Sequence, residues 1–160
     1  MVRLVGLAVP WNRLGPQEIG RRLTMTSATW VLQSSVHSAL IGDNVLIGLL
    51  GGGQVFDHVP RGTEMPYVTF GPSSENDWST IDETGYELRF SLHVWTEAIG
   101  RKSAEQIMSA LRRILHDQTL AVSGFRLINL QHENSDLNRV SDGEVLQGIV
   151  RFRATLESTA

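Results

Sequence analysis

One strand and the helix that follows it constrain the fold of this chain more than any other feature. From Tyr86 to Trp95 apolar and polar residues alternate strictly, which predicts a strand with one apolar face and one polar face. The apolar face holds Tyr86, Leu88, Phe90, Leu92 and Val94, and the other face holds Glu87, Arg89, Ser91, His93 and Trp95. A strand of this kind needs a second layer on its apolar face.

The helix predicted from Arg101 to His116 supplies that layer. Its apolar residues recur every three or four positions, opposite Glu105, Arg112 and Arg113. Ser103 and Gln106 are predicted to form a capping box at its start.

Apolar periodicity and turn residues predict shorter elements before this unit. In chain order they are a helix capped by Thr26 or Ser27 and ending near Gly42, a helix from Val45 to Leu50 stopped by Gly51-Gly52-Gly53, a strand from Gln54 to Val59, a strand from Tyr67 to Phe70 and a polar turn from Gly71 to Asp77.

Two strands joined by a turn at Ser141-Asp142-Gly143 are predicted to end the fold. The first opens at Gly124, and its facing is ambiguous because apolar residues occupy both parities. The second alternates, with Leu146, Gly148, Val150, Phe152, Ala154 and Leu156 inward and Gln147, Ile149, Arg151, Arg153 and Thr155 outward. The predicted fold class is α+β: an antiparallel sheet of four to five strands with one long and one or two short helices packed on one face.

Composition narrows the classes of function. The net charge of −3 gives no positive field that would condense onto nucleic acid, and the absence of cysteine removes disulfides and thiolate chemistry. Residues 1–24 carry four arginines and one glutamate, so 4 − 1 = +3 there leaves −6 from Met25 onward. We predict an N-terminal extension over residues 1–24, either a flexible arm or a segment ahead of a natural start at Met25, and a single domain over residues 25–160. No signal peptide and no membrane span are expected.

No catalytic or metal-binding motif stands out. The five histidines have no zinc-site spacing; they are His37, His58, His93, His116 and His132. A cationic His116 would suit the carbonyl end of the long helix. Gly100-Arg101-Lys102-Ser103 is similar to the end of a phosphate-binding loop, but Trp95 stands where that loop needs its first glycine. We therefore predict no enzyme activity, no catalytic residue, no metal and no cofactor.

The polar face of the sheet is the candidate functional surface. It is predicted to carry Arg89, His93, Trp95, Arg151 and Arg153. One interpretation is that its charges form cross-strand ion pairs facing solvent. The other is that it is an assembly interface, because Trp and Arg are residue types that anchor interfaces.

From about Met25 to Glu157 the sequence resembles the phage tail terminator family. These are the tail completion or head-tail joining proteins of long-tailed phages and of phage-derived gene transfer agents. The resemblance rests on the apolar stretch into Gly51-Gly52-Gly53 and on these segments in order: V-F-D-H-V-P, M-P-Y-V-T-F-G, D-W-S-T, L-H-V-W-T, A-L-R-R-I-L-H-D, G-F-R-L-I-N-L and G-I-V-R-F-R-A-T. Residues 1–24 have no counterpart in this pattern.

The resemblance implies a structural protein of a virion or phage-like particle, made in the bacterial cytoplasm and located at the junction of tail and neck. It implies a hexameric ring on the head-proximal end of the tail tube, which ends tube polymerisation and contacts the tube protein and the connector or stopper of the head neck. DNA would pass through the lumen without sequence-specific binding. Two alternatives remain open. One is a small ligand- or anion-binding module that uses the helix start from Arg101 to Ser103, and the other is a hydrolase in which Asp77, Asp82 and His93 converge.

Overall fold

The computed structural model describes residues 27–159, and within them the chain forms three helices and five strands. In chain order the helices and strands are α1 (Ala28–Ile41), α2 (Asn44–Leu50), β1 (Val55–Phe56), β2 (Tyr67–Asp77), β3 (Gly85–Glu97), α3 (Arg101–Leu115), β4 (Phe125–Val140) and β5 (Val145–Ser158). The predicted α+β class and order of elements are confirmed. The extension predicted for residues 1–24 lies outside the described residues.

α1 and α2 begin and end where the sequence places their signals; α1, with 14 residues, is almost as long as the 15-residue α3. Ser27 caps α1 by accepting the backbone N–H of Trp30 at 3.2 Å, and Asp43 caps α2 by accepting the N–H of Leu46 at 3.0 Å. Gly51 ends α2 in the left-handed region, with φ of 78°, as the glycine run predicts.

The strands form one sheet in the order β1-β2-β3-β5-β4. β2, β3, β5 and β4 pair antiparallel as predicted, whereas β1 pairs parallel with β2 at one edge of the sheet. The side-chain amide of Gln54 supports this parallel pair. It donates to the carbonyls of Leu50 and Pro66 at 3.1 and 2.8 Å, which holds the starts of β1 and β2 side by side.

The core lies between one face of the sheet and the three helices. α3 lies across β3, β5 and β4, and α1 and α2 contact α3 and each other. At Gly148 a side chain would collide with Met108, because a Cβ there would lie 2.6 Å from the Met108 sulfur. The glycine therefore lets α3 approach β5 closely. The buried apolar side chains of β3 and β5 are those that alternation predicts to face inward, among them Leu88, Leu92, Val94, Val150 and Phe152.

The prediction of a polar turn from Gly71 to Asp77 is wrong. β2 continues through these residues and pairs with β3 as far as Asp77 opposite Tyr86. A bulge between Phe70 and Ser73 shifts the register, and every residue from Pro72 to Asp77 is exposed. This half of β2 covers no core, so it shows no apolar alternation that could reveal a strand. The predicted strand from Gln54 to Val59, by contrast, is reduced to Val55–Phe56.

Two bulges in β4 explain its ambiguous facing. Ile128 and Glu133 lie at register shifts between β4 and β5, one between Leu127 and Asn129 and the other between His132 and Asn134. Each extra residue reverses the parity of the strand, so the apolar residues before and after it fall on different parities.

The capping box predicted for the start of the long helix is also wrong. The N-cap of α3 is Gly100 without a side-chain hydrogen bond, so Ser103 lies inside the first turn and forms no capping box. At the other end, Nδ1 of His116 accepts the backbone N–H of His132 at 3.0 Å. The His116 ring therefore covers a backbone donor of β4.

None of the helices between residues 27 and 159 has the length and hydropathy that a membrane-spanning helix needs.

Candidate assembly interface

The five candidate residues lie together on the helix-free face of the sheet. β3 contributes Arg89, His93 and Trp95, and β5 contributes Arg151 and Arg153. In the register of these two central strands Arg89 is directly opposite Arg153. Period-two alternation brings the set together as the sequence predicts. No observation tests its role in assembly, which stays a prediction.

Two carboxylates neutralise the facing arginines. Glu87 lies 2.6 Å from Arg89 and 3.5 Å from Arg153, and Glu133 lies 3.3 Å from Arg89 and 3.9 Å from Arg153. Like charges directly opposite each other on a sheet are destabilising, so this bridging offsets a repulsion that the register creates. The hydrogen bond with Glu87 raises the pKa of Arg89 above its usual range. Cross-strand ion pairs are therefore part of this surface.

Glu133 belongs to this network although the sequence gives no sign of it. It is the extra residue of the second bulge in β4, outside the regular pairing with β5. Regular alternation along β4 does not predict that the side chain of Glu133 lies beside Arg89 and Arg153. A bulge that re-aims one side chain is the reason that this partner could not be found from sequence.

Arg151 has separate partners on β4. Its Nη1 donates to Oδ1 of Asn134 at 2.7 Å and to Oδ2 of Asp136 at 2.5 Å. Its side chain remains two-fifths exposed. The guanidinium is held in place but still faces outward.

His93 and Ser91 form a hydrogen-bonded pair that resembles part of a hydrolase site. Nε2 of His93 lies 3.3 Å from Oγ of Ser91, and the amide of Gln147 lies 3.3 Å from Nδ1 of His93. If Gln147 donates to Nδ1, Nε2 must carry the proton and donate to Ser91, whose own hydroxyl donates to the carbonyl of Pro72 at 3.4 Å. With the proton on Nε2, that nitrogen cannot accept the serine proton, which a base that activates a nucleophile must do.

The pKa of His93 supports a neutral ring. Burial lowers the pKa of its imidazole, and the nearby charge of Arg151 lowers that pKa further. The pair packs on Gly71 of the β2 bulge, where any Cβ would overlap both side chains. The pair is thus a packed polar contact between β3 and the bulge.

Trp95 is partly engaged within its own chain. Its indole N–H donates to Oγ1 of Thr69 at 3.0 Å, and its ring lies 6.2 Å from the His93 ring. The residue is only partly buried, so some of its atoms remain accessible.

A depression of about 370 Å³ opens in the middle of this face. Its lining combines aromatic and aliphatic side chains with charged ones: Pro72, Ser73, Ser74, Arg89, Phe90, Ser91, His93, Glu133, Ile149, Arg151 and Phe152. An apolar floor with charged and polar side chains around it is the composition of a protein contact with anchoring pockets.

The other sequence candidates do not assemble into a site. Asp77 is opposite Tyr86, seven residues along β3 from His93, which places the two about 23 Å apart at roughly 3.3 Å per residue. Asp77 and His93 therefore do not converge as the hydrolase alternative requires. Among residues 27–159, no three histidine, aspartate or glutamate side chains group as a metal site would require. Arg101 and Lys102 at the start of α3 are exposed, and the anion-binding alternative stays a prediction.

Comparison with known proteins identifies the family. Residues 34–157 match the family described as tail completion protein gp17. A chain in the solved virion of a native gene transfer agent particle is 30% identical; the match covers 83% of this chain and 99% of that one, with a TM-score of 0.77. The gp17 protein of bacteriophage SPP1 shares the fold with a TM-score of 0.52 at 23% identity, over 82% of this chain and 96% of that one. No curated protein sequence gives a match.

The chain therefore belongs to the tail completion protein gp17 family. This family resemblance was predicted from the sequence and is confirmed. Its members are structural proteins of phage tails, so surfaces that contact other proteins are the sites to consider.

Proposed function

We propose that this protein forms a hexameric ring at the head-proximal end of a phage-like tail tube. There it ends tube polymerisation and joins the tail to the connector or stopper of the head neck. DNA passes through the lumen without sequence-specific contacts. The observation that carries the proposal is the correspondence with almost the whole length of a chain in a native gene transfer agent particle.

The helix-free face is proposed as one contact surface of this assembly. Its three arginines pair with three carboxylates, from Glu87, Glu133 and Asp136, so this ion-pair network has no net charge. A partner can therefore cover it without bringing an excess charge out of water. Arg151 and Trp95 retain exposed atoms that a partner can contact.

The excess of acidic residues suits a ring through which DNA moves. From Met25 onward the chain carries 10 basic and 16 acidic residues, so 10 − 16 = −6. A lumen with net negative charge does not hold a phosphate backbone by counterion release. The proposed role therefore needs complementary protein surfaces and no catalytic residue.

Deletion of the gene in its producer tests the proposed function. Electron microscopy should then show DNA-filled heads separate from tails of irregular length, and the gene supplied in trans should restore joined particles. Joined particles of normal tail length in the deletion strain would contradict the proposal.

A further inference from the structure

The outward face of α1 and α2 lacks charge to a degree that solvent-exposed helices rarely show. From Ser27 to Gln54 the only charged residue is Asp43, which caps α2 and pairs with Arg113 at 2.8 Å. Surface helices ordinarily present charged side chains to water. The absence of charge on this face therefore needs an explanation other than solvation.

Large apolar side chains stand out from this face. Trp30 is 58% exposed, Ile41 42% and Val45 60%. Trp30 and Ile41 are eleven positions apart in α1, or three turns of helix, so they share one stripe. Ser34 and Ser38 lie exposed between them, and the Ser34 hydroxyl already donates to the Trp30 carbonyl at 3.1 Å. The stripe has small uncharged side chains in its middle and large apolar ones at both ends. Together with Val45 of α2 it forms what we call the charge-free helical face, defined by Trp30, Ser34, Ser38, Ile41 and Val45.

Shallow grooves border this stripe on both sides. One, of about 340 Å³, is lined by Gln33, His37, Asp57 and Phe70, and the other, of about 470 Å³, by Ala39 and the segment from Thr119 to Ser123. A ridge of small residues between two grooves lets a neighbouring element approach the helix closely. The shape and the chemistry both fit a protein contact.

We infer that the charge-free helical face is covered by a second copy of this chain. The inference rests on the proposed ring. Each copy carries −6 from Met25 onward, so neighbouring copies repel wherever acidic surfaces meet. A face with no unpaired charge is where two such copies touch without like-charge repulsion. A closed ring joins unlike surfaces, so this face contacts a different part of the neighbour and not the same face.

Photo-crosslinking identifies what covers the face. Trp30→p-benzoylphenylalanine places a photoreactive aromatic ring on the face during synthesis, so the particle assembles with the probe present. Irradiated particles should yield an adduct of twice the 17.7 kDa chain mass, with the attachment point located by mass spectrometry. Trp78, which is 41% exposed in the β2–β3 loop, is the matched control position and should give no such adduct.

A charged substitution tests the same face without a probe. Val45→Glu should leave the purified chain folded, as thermal unfolding would show, but reduce its incorporation into particles by about tenfold or more, because the new carboxylate is buried unpaired. Ser109→Glu, on the charged outer side of α3, should be incorporated normally.

The outcomes separate the inference from the proposed function. Particles that contain the chain but give adducts only with another virion protein, or no adduct, overturn the inference and leave the proposed function intact. Normal incorporation of Val45→Glu also overturns it. If particles lack the chain while the purified protein still gives the self-adduct, the inference stands and the proposed function fails. A link between position 30 of one copy and position 30 of the other supports a second copy and contradicts the ring.

Discussion

Gly71 shows how a single residue fixes the geometry of the helix-free face. A Cβ at this position would overlap the side chains of Ser91 and His93, whereas a Cβ at Gly48 of α2 would meet no atom within 4 Å. We expect Gly71→Ala to destabilise the protein by about 1–3 kcal/mol, the usual cost of overpacking. Gly48→Ala should instead stabilise it by about 0.5–1 kcal/mol, because alanine favours the helix. Urea unfolding of both variants measures the contrast, and equal effects would contradict it.

His93 should make stability depend on pH between neutrality and mild acid. Burial lowers its pKa in the folded protein below the ordinary value of 6.5, so the unfolded chain binds more protons. The contribution of His93 is therefore complete above about pH 6.5 and decreases as the pH falls below that value. His132 acts in the same direction, because burial and then Arg112 lower its pKa.

Thermal unfolding at pH 7.5 and pH 5.5 tests this dependence. Wild type should lose stability at the lower pH, and His93→Gln and His132→Gln should each lose less. Asp43 and Asp77 do not interfere, because their pKa values are lowered from 3.8 and their contributions are lost only in stronger acid. An unchanged pH dependence in both variants would show that these imidazoles do not control it.

Among the secondary elements, β4 is an edge strand, because within residues 27–159 it pairs with β5 alone. The C-terminal end of α3 covers part of its open side: His116 accepts the His132 N–H, and the Asp117 N–H donates to the Leu130 carbonyl at 2.7 Å. Open edges are sites of unwanted pairing, so this cover protects the strand.

Substitution of His116 tests the protection. His116→Ala leaves the His132 N–H without its partner, which should cost about 1 kcal/mol and speed hydrogen exchange at that amide by about fivefold or more. His116→Asn should restore most of the protection, because its side-chain oxygen can accept the same bond. Exchange at His132 that does not change in the alanine variant would contradict the assignment.

The same elements show which parts of the fold can be predicted from sequence. α1, α2, α3, β3 and β5 are predicted because each buries one face and so displays its period in the sequence. β2 beyond Phe70 and the facing of β4 are not, because bulges change the parity and exposed strand ends bury nothing.

The residues of the candidate interface also divide into those that the sequence predicts and those that it does not. Its five residues follow from alternation on two central strands. Glu133 lies beside these residues because of a bulge in β4. The contact of Ser91 and His93 with Gly71 depends on a register shift in β2. Sequence periodicity describes regular pairing and carries no information about these departures from it.

For the whole molecule, the open question is whether the charges on the helix-free face serve only its own fold or also a partner. Arg151 and Asp136 allow a direct test, because they pair at 2.5 Å and both remain partly exposed. Arg151→Glu should place two carboxylates together, with a modest loss of stability of up to about 1 kcal/mol, as is usual for exposed pairs. The exchange Arg151→Glu with Asp136→Arg restores an ion pair with opposite polarity, so the thermal unfolding temperature should return close to that of wild type.

If a partner protein contacts this surface, the exchanged variant should recover its stability but not its assembly into joined particles. A partner surface complementary to the original charges meets reversed charges in the exchanged variant, and like-charge contacts at an interface are unfavourable. We therefore expect the exchanged variant to be as stable as wild type but to yield unjoined heads and tails in a deletion strain, counted by electron microscopy. Full recovery of joined particles together with stability would mean that this ion pair serves only the fold of a single chain, and the contact with partners would then have to lie elsewhere on the molecule.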